Sequence, residues 1–118
     1  MNNKKKGTAF ENEVCDLLKS KGYWVHFITP DKTGSQPFDI IAVKNNSAMA
    51  IDCKTCVAKS FSMTRVEENQ KYAFDKWIAC GNPNPVFFVE HADEIKVVDW
   101  IELLAKGSVK LDECRSFE

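Results

Sequence analysis

Nowhere in this 118-residue chain does an apolar run approach the roughly 20 residues needed to span a bilayer, so no membrane partner is expected. The opening Met1-Asn2-Asn3-Lys4-Lys5-Lys6 is basic, but no apolar signal core follows it, which argues against secretion. The five cysteines are an odd number at irregular spacings. That is no disulfide framework, and it points to free thiols in a reducing cytoplasm. Neither His26 nor His91 falls in a motif. Internal repeats, low-complexity tracts and linkers are also missing. Residues 1–118 therefore read as one domain, with a core over about 8–90 and a C-terminal helix and tail over 99–118.

Charge does not lean strongly to either side. A net charge of −1 gives no hint of a nucleic-acid partner, but its distribution says more. Residues 1–65 hold ten Lys/Arg against six Asp/Glu, whereas residues 66–118 hold six against eleven. A basic half can follow a phosphate backbone while an acidic half faces away. What the chain does have, 44% hydrophobic and 11% aromatic residues, is enough for a sheet-centred core.

Thr8-Ala9-Phe10-Glu11 carries the capping-box pattern of a helix start, and Phe10, Val14, Leu17 and Leu18 then recur at helical spacing up to Gly22. Tyr23 to Ile28 is aromatic and β-branched, a strand, and Thr29 to Gln36 is a loop. Phe38 to Val43 and Ala48 to Lys54 are strands joined by a tight turn at Lys44-Asn45-Asn46-Ser47. Thr64-Arg65-Val66-Glu67 repeats the capping-box pattern, predicting a helix from there to about Cys80, where Gly81-Asn82-Pro83-Asn84-Pro85 stops it. Val86 to Val89 and Ile95 to Val98 suit strands. Asp99-Trp100-Ile101-Glu102 opens a short helix ending near Gly107, and the tail to Glu118 is poorly specified. The expected fold class is α/β, a mixed central β-sheet flanked by helices in the order α-β-β-β-α-β-β-α.

Two residues break the apolar pattern of the second and third strands: Asp39 and Asp52. A carboxylate in a buried strand is costly unless it is paired, hydrogen-bonded or bound to a cation. Strand side chains alternate, so Asp52 and Lys54 share a face and Cys53 takes the other. With Asn45-Asn46 as the turn centre, Asp39 lies opposite position 52. Neighbouring carboxylates repel and raise one pKa, unless a divalent cation keeps both ionised. The plainer alternative is a strand-end cap at Asp39 and a solvated Asp52–Lys54 salt bridge. The loop Gly34-Ser35-Gln36-Pro37, which delivers Asp39 at the start of a rigid strand, favours the functional alternative.

Pro37-Phe38-Asp39, then twelve residues, then Asp52-Cys53-Lys54, resembles the PD-(D/E)XK signature of metal-dependent nucleases. The α-β-β-β-α-β order from Thr8 to Val89 resembles the core of that restriction-endonuclease-like superfamily. Gly7-Thr8-Ala9-Phe10-Glu11 resembles the Gly-x-x-x-Glu opening of Holliday-junction resolvases of the RecU and archaeal Hjc kinds. The resemblance implies a Mg²⁺-dependent endodeoxyribonuclease, with Mn²⁺ substituting, that acts on DNA four-way junctions as a homodimer. It implies that Asp39 and Asp52 bind the metal with the backbone carbonyl of Cys53, and that Glu11 reaches the same site directly or through water. Lys54 would orient the attacking water or stabilise transition-state charge. One departure is clear: most such enzymes have Glu where this chain has Asp52, which is one methylene shorter and draws the metal closer to the strand.

The chemistry suits that set. Hydrolysis near neutral pH needs an acidified water, which a bound metal supplies. Charge gathering on phosphate oxygens is matched by a cation and a fixed ammonium. Mg²⁺ prefers oxygen ligands and keeps several waters, so two or three carboxylates suffice. Rival readings are a nuclease of the same fold for duplex, flap or restriction-type DNA, and a non-catalytic nucleic-acid-binding module.

Other residues have two readings each. Glu11 either folds back as a capping-box residue or faces the sheet from the border of the apolar stripe. Gln70 falls inside the stripe of Val66, Ala73, Phe74 and Trp77, so its amide needs partners. Nearby backbone would serve, but a Gln here also resembles the fourth motif of RecU-like and RecB-like nucleases. Lys4, Lys5 and Lys6 either grip phosphates or are simply solvated, and Lys59 and Arg65 are further candidates for DNA contact. Cys53-Lys54-Thr55-Cys56 is formally C-x-x-C. It lacks a second pair for zinc and begins inside a strand rather than before a helix, so Cys53 is expected to be a small core residue.

Overall fold

The computed structural model describes residues 3–29 and 36–118, and for residues 3–7 only the backbone. Gly34 and Ser35 of the loop before Asp39 therefore lie outside the described residues, as do the side chains of Lys4, Lys5 and Lys6.

Helix α1 runs Asn3–Ser20, so Thr8 is inside the helix and does not open it. Lysine is a good helix former and one Gly costs only about 1 kcal/mol, so nothing between Asn3 and Thr8 stops the helix from extending upstream. Phe10, Val14 and Leu18, one turn apart, are buried against the sheet. The chain leaves through Gly22, whose φ of 90° is a left-handed conformation natural to glycine.

β1 (Trp24–Phe27), β2 (Ile40–Lys44) and β3 (Ser47–Thr55) form an antiparallel meander. The β2–β3 turn has Asn45 at φ 52° and Asn46 at φ 63°, the two-residue geometry that asparagine tolerates best after glycine. It fixes the register at Ile40 opposite Ile51. β4 (Ser60–Ser62) leads into a 3-10 turn at Met63–Arg65, and α2 spans Glu68–Ala79. The second helix thus starts one capping pattern later than Thr64–Glu67 suggests. Ser62 caps the 3-10 turn through Thr64 N–H, while Glu67 and Gln70 form the box of the α-helix.

β5 (Val86–His91) and β6 (Glu94–Asp99) complete the sheet in the order β1-β2-β3-β5-β6, with β3 and β5 parallel and the other pairs antiparallel. Helix α3 is Trp100–Lys106, and β7 (Ser108–Lys110) returns to pair with β4. The mixed sheet with flanking helices is the fold class expected. Strands β4 and β7 are additions: at three residues each they are too short to show a period, and Phe61 meets Val109 only through long-range pairing.

Two apolar layers sandwich the sheet. Phe10, Val14, Leu18, Ile40, Ile51 and Phe88 pack on the α1 side, and Ala50, Phe74, Phe87, Trp100 and Leu103 on the α2–α3 side. Central β5 is buried on both faces, as its unbroken Val-Phe-Phe-Val run requires. The tail, which local pattern leaves unspecified, covers the edge of β6: Val97 N–H donates to Arg115 O at 2.9 Å and Phe117 N–H to Ile95 O at 2.8 Å. Among the described residues, no helix is long and apolar enough to cross a membrane.

Candidate active site

Asp39 stands one residue before β2, and its backbone is held from both sides. Its N–H donates to Ile51 O at 3.0 Å and its carbonyl accepts from Ile28 N–H at 2.7 Å. Its Oδ2 accepts from the Cys53 N–H at 2.8 Å. Along β3, Ile51 and Cys53 pack into the α1-side layer, so Asp52 and Lys54 turn toward α2. The β2–β3 register continued by one residue sets Asp39 opposite Asp52, and both side chains are buried.

The two carboxyls interact directly, and the neighbouring Asp39 raises the Asp52 pKa. Two ionised carboxylates at this distance repel each other unless a cation or a proton lies between them. Burial, then the Asp39 charge, pushes the Asp52 carboxyl up from 3.8 to about 8; the Lys54 charge and a hydrogen bond from the Gln70 amide pull the other way. Lys54 Nζ lies 3.3 Å from Asp52 Oδ2, an ion pair whose geometry is not that of a hydrogen bond. Oδ2 is left buried without a hydrogen-bond partner.

Glu11, on α1, lies near enough to Asp39 to feel its charge. It is half-buried, and its carboxyl rises from 4.5 to about 7, mainly by burial and secondarily by the Asp39 charge. Because Thr8 does not open the helix, Glu11 has no capping-box duty there. Gln70, 4% exposed, accepts the Glu67 N–H on its Oε1 at 3.2 Å, and its side chain favours the ionised form of Asp52.

These groups fit a hard divalent cation. Facing carboxyls that repel each other, a buried oxygen with no hydrogen bond and an all-oxygen donor set are what Mg²⁺ or Mn²⁺ would satisfy. Among the described residues, no three His, Cys, Asp or Glu side chains gather closely enough to enclose an ion by themselves. Backbone oxygen and water must therefore complete any coordination. Cys53 and Cys56 pack into opposite layers of the sheet, so they do not form a shared sulfur site.

Lys59 is exposed in the loop after β3, and Arg65 donates to Thr55 O at 2.9 Å, beside Lys54. Sequence reasoning missed Asn69, whose Nδ2 reaches Gln36 O at 3.5 Å and ties the loop before Asp39 to α2. Its only signal was a polar residue next to Gln70.

A mixed sheet with Asp39 and Asp52-Cys53-Lys54 at adjoining strand ends belongs to the PD-(D/E)XK class of nuclease folds. More narrowly, the model of the archaeal Holliday junction resolvase (Hjc) family matches residues 2–113, and the chain belongs to that family. Among solved structures, Hjc of the archaeal hyperthermophile Archaeoglobus fulgidus, a Holliday junction resolvase, superposes with a TM-score of 0.65. The match covers 88% of this chain and 86% of that one at 12% identity, a likeness of fold. No curated protein matches the chain.

Proposed function

We propose that this chain is a metal-dependent endodeoxyribonuclease that hydrolyses DNA at Holliday junctions. The observation that carries the reading is the meeting of two buried carboxyls, Asp39 and Asp52, with Lys54 Nζ 3.3 Å from Asp52 Oδ2, an oxygen that has no hydrogen bond. Membership of the Hjc family and the fold shared with the Archaeoglobus fulgidus resolvase support both the chemistry and the branched substrate.

Asp39 and Asp52 are the proposed holders of Mg²⁺, with Mn²⁺ substituting. The Cys53 carbonyl is a third ligand, since in an extended strand it projects to the same side as the N–H that meets Asp39. When bound, the ion supplies Lewis-acid charge at the phosphate and lowers the pKa of the attacking water. Lys54 orients that water or stabilises charge on the non-bridging oxygens. Glu11, whose pKa of about 7 lies close to physiological pH, holds a proton beside Asp39 or joins the ion through water. Gln70 fixes the Asp52 carboxylate, and Lys4, Lys5, Lys6, Lys59 and Arg65 follow the DNA backbone. Each protomer works as a single domain within a homodimer, whose two sites address the two strands of a symmetric branch.

The test is cleavage of a labelled four-way junction. Nicking is expected in Mg²⁺ and none in EDTA, and Asp39→Asn or Lys54→Ala should lose it with the melting temperature retained. Robust cutting by either variant removes the assigned chemistry. Equal cutting of linear duplex or flap DNA removes the junction as the substrate. Sedimentation velocity checks the dimer.

A further inference from the structure

The segment joining β3 to β4, residues 56–59, is braced on both sides but has nothing to pack at its tip. Cys56 N–H donates to Glu90 O at 3.0 Å, and the Cys56 carbonyl meets His91 Nδ1 at 2.8 Å. Lys59 O accepts from Leu111 N–H at 2.9 Å. Between these anchors Val57 is 99% exposed. With Cys56 buried in the core, Val57, Ala58 and Lys59 form an exposed tip on a firmly held loop.

Arg65 stands at the base of the loop. Its Nη2 donates to Thr55 O at 2.9 Å and its guanidinium lies 5.5 Å from the centroid of the fully buried Phe61 ring. Among the described residues no carboxylate is within ion-pair distance of it. The planar fork is thus oriented, uncompensated and still has free N–H donors, the arrangement that suits a phosphate. Thr55, which it grips, follows Lys54 directly. Val57 and Arg65 line one cleft, together with Glu90 and Asp93. Those two carboxylates would repel a phosphate on their own side of the cleft and leave the Arg65 wall for it.

The geometry points to a phosphate subsite at Arg65. It takes a backbone phosphate of the strand next to the bond handled at Asp39, Asp52 and Lys54, with Val57 against the apolar edge of a sugar. The inference rests on the nuclease reading for its substrate but not for its test, which is a binding measurement. Wild type, Arg65→Ala, Arg65→Lys and Val57→Asp are titrated with a four-way junction in EDTA over a range of salt.

Arg65→Ala should weaken binding on the order of ten-fold, as expected for loss of a hydrogen-bonded charge. It should also flatten the slope of log affinity against log salt by about 0.9, the signature of one lost phosphate contact. A residue that merely braced the loop would leave the slope alone. Arg65→Lys should keep the slope and lose affinity, because the charge stays while the fork goes. Val57→Asp, at a fully exposed position, should keep its melting temperature and bind more weakly. An unchanged slope in Arg65→Ala overturns the subsite. If that variant does not fold, wild-type affinity in both Arg65→Lys and Val57→Asp overturns it. A wild type that binds the junction but never cuts it removes the nuclease reading alone.

Discussion

Asp39 Oδ2 accepts the Cys53 backbone N–H at 2.8 Å, so the carboxylate that leads β2 is held by the strand carrying Asp52. One oxygen of Asp39 thus serves the fold while the group as a whole faces its acidic neighbour. Asp39→Asn separates the two roles. Its amide oxygen can still accept from Cys53, but the charge that repels Asp52 is gone. In EDTA at about pH 8 the variant should melt no lower than wild type, since relieving like-charge repulsion offsets the changed hydrogen bonding. Cleavage should fall by about 10²–10³-fold, the range seen when transition-state charge stabilisation is removed. A melt well below wild type would show that the charge at Asp39 serves stability.

The raised carboxyls make a prediction about pH. Asp52 moves from 3.8 to about 8 and Glu11 from 4.5 to about 7, so the folded protein holds protons that the unfolded chain has released. Stability then falls as pH rises wherever the folded state binds more protons. The contribution is complete below about pH 4 and lost by about pH 8, and a divalent cation takes over the protons' place. Thermal melts in EDTA should drop between about pH 5.5 and about pH 8.5, and added Mg²⁺ should raise the melting temperature more at the higher pH. An equal Mg²⁺ effect at both would mean that the ion binds elsewhere.

How much of this was legible in the sequence depends on how local each signal is. Asn45-Asn46 is a self-contained turn, and its register alone carries Asp39 opposite Asp52. The Glu67–Gln70 box was hidden by an equally good pattern at Thr64–Glu67, because a 3-10 turn at Met63–Arg65 intervenes and periodicity does not distinguish the two. The Phe61–Val109 pairing and the tail on β6 depend on residues far apart in the chain, so no local window contains them. The same limit hid the Cys53 N–H bond to Asp39, which arises only where two strand ends meet.

Lys54 is the counter-charge that lowers the Asp52 pKa. Lys54→Ala should push that carboxyl still higher, so the variant should need a higher pH to take up Mg²⁺ as well as losing about 10²–10³-fold in cleavage. Calorimetric Mg²⁺ titrations at several pH values test this. Weaker binding near neutrality that recovers in alkali is the expected result. Metal affinity that matches wild type throughout would assign Lys54 to the phosphate alone.

Gln70 joins the start of α2 to the site: its Oε1 accepts the Glu67 N–H, and its side chain lowers the Asp52 pKa. Gln70→Ala removes a side chain that favours the ionised form of the buried Asp52, at a cost of about 1–3 kcal/mol for an unsatisfied group, while the exposed Glu67 N–H can turn to water. The melting temperature should fall by several degrees, and cleavage should fall with it as the Asp52 carboxylate loses its brace. Gln70→Glu keeps the acceptor for Glu67 but sets a third acid against Asp39 and Asp52. Its deficit in EDTA should therefore grow with pH and shrink when Mg²⁺ is added, whereas that of Gln70→Ala should respond less to either. Melting curves for the two variants, with and without Mg²⁺, distinguish a helix cap from a residue that holds the site. Identical losses under all conditions would leave Gln70 with the cap alone.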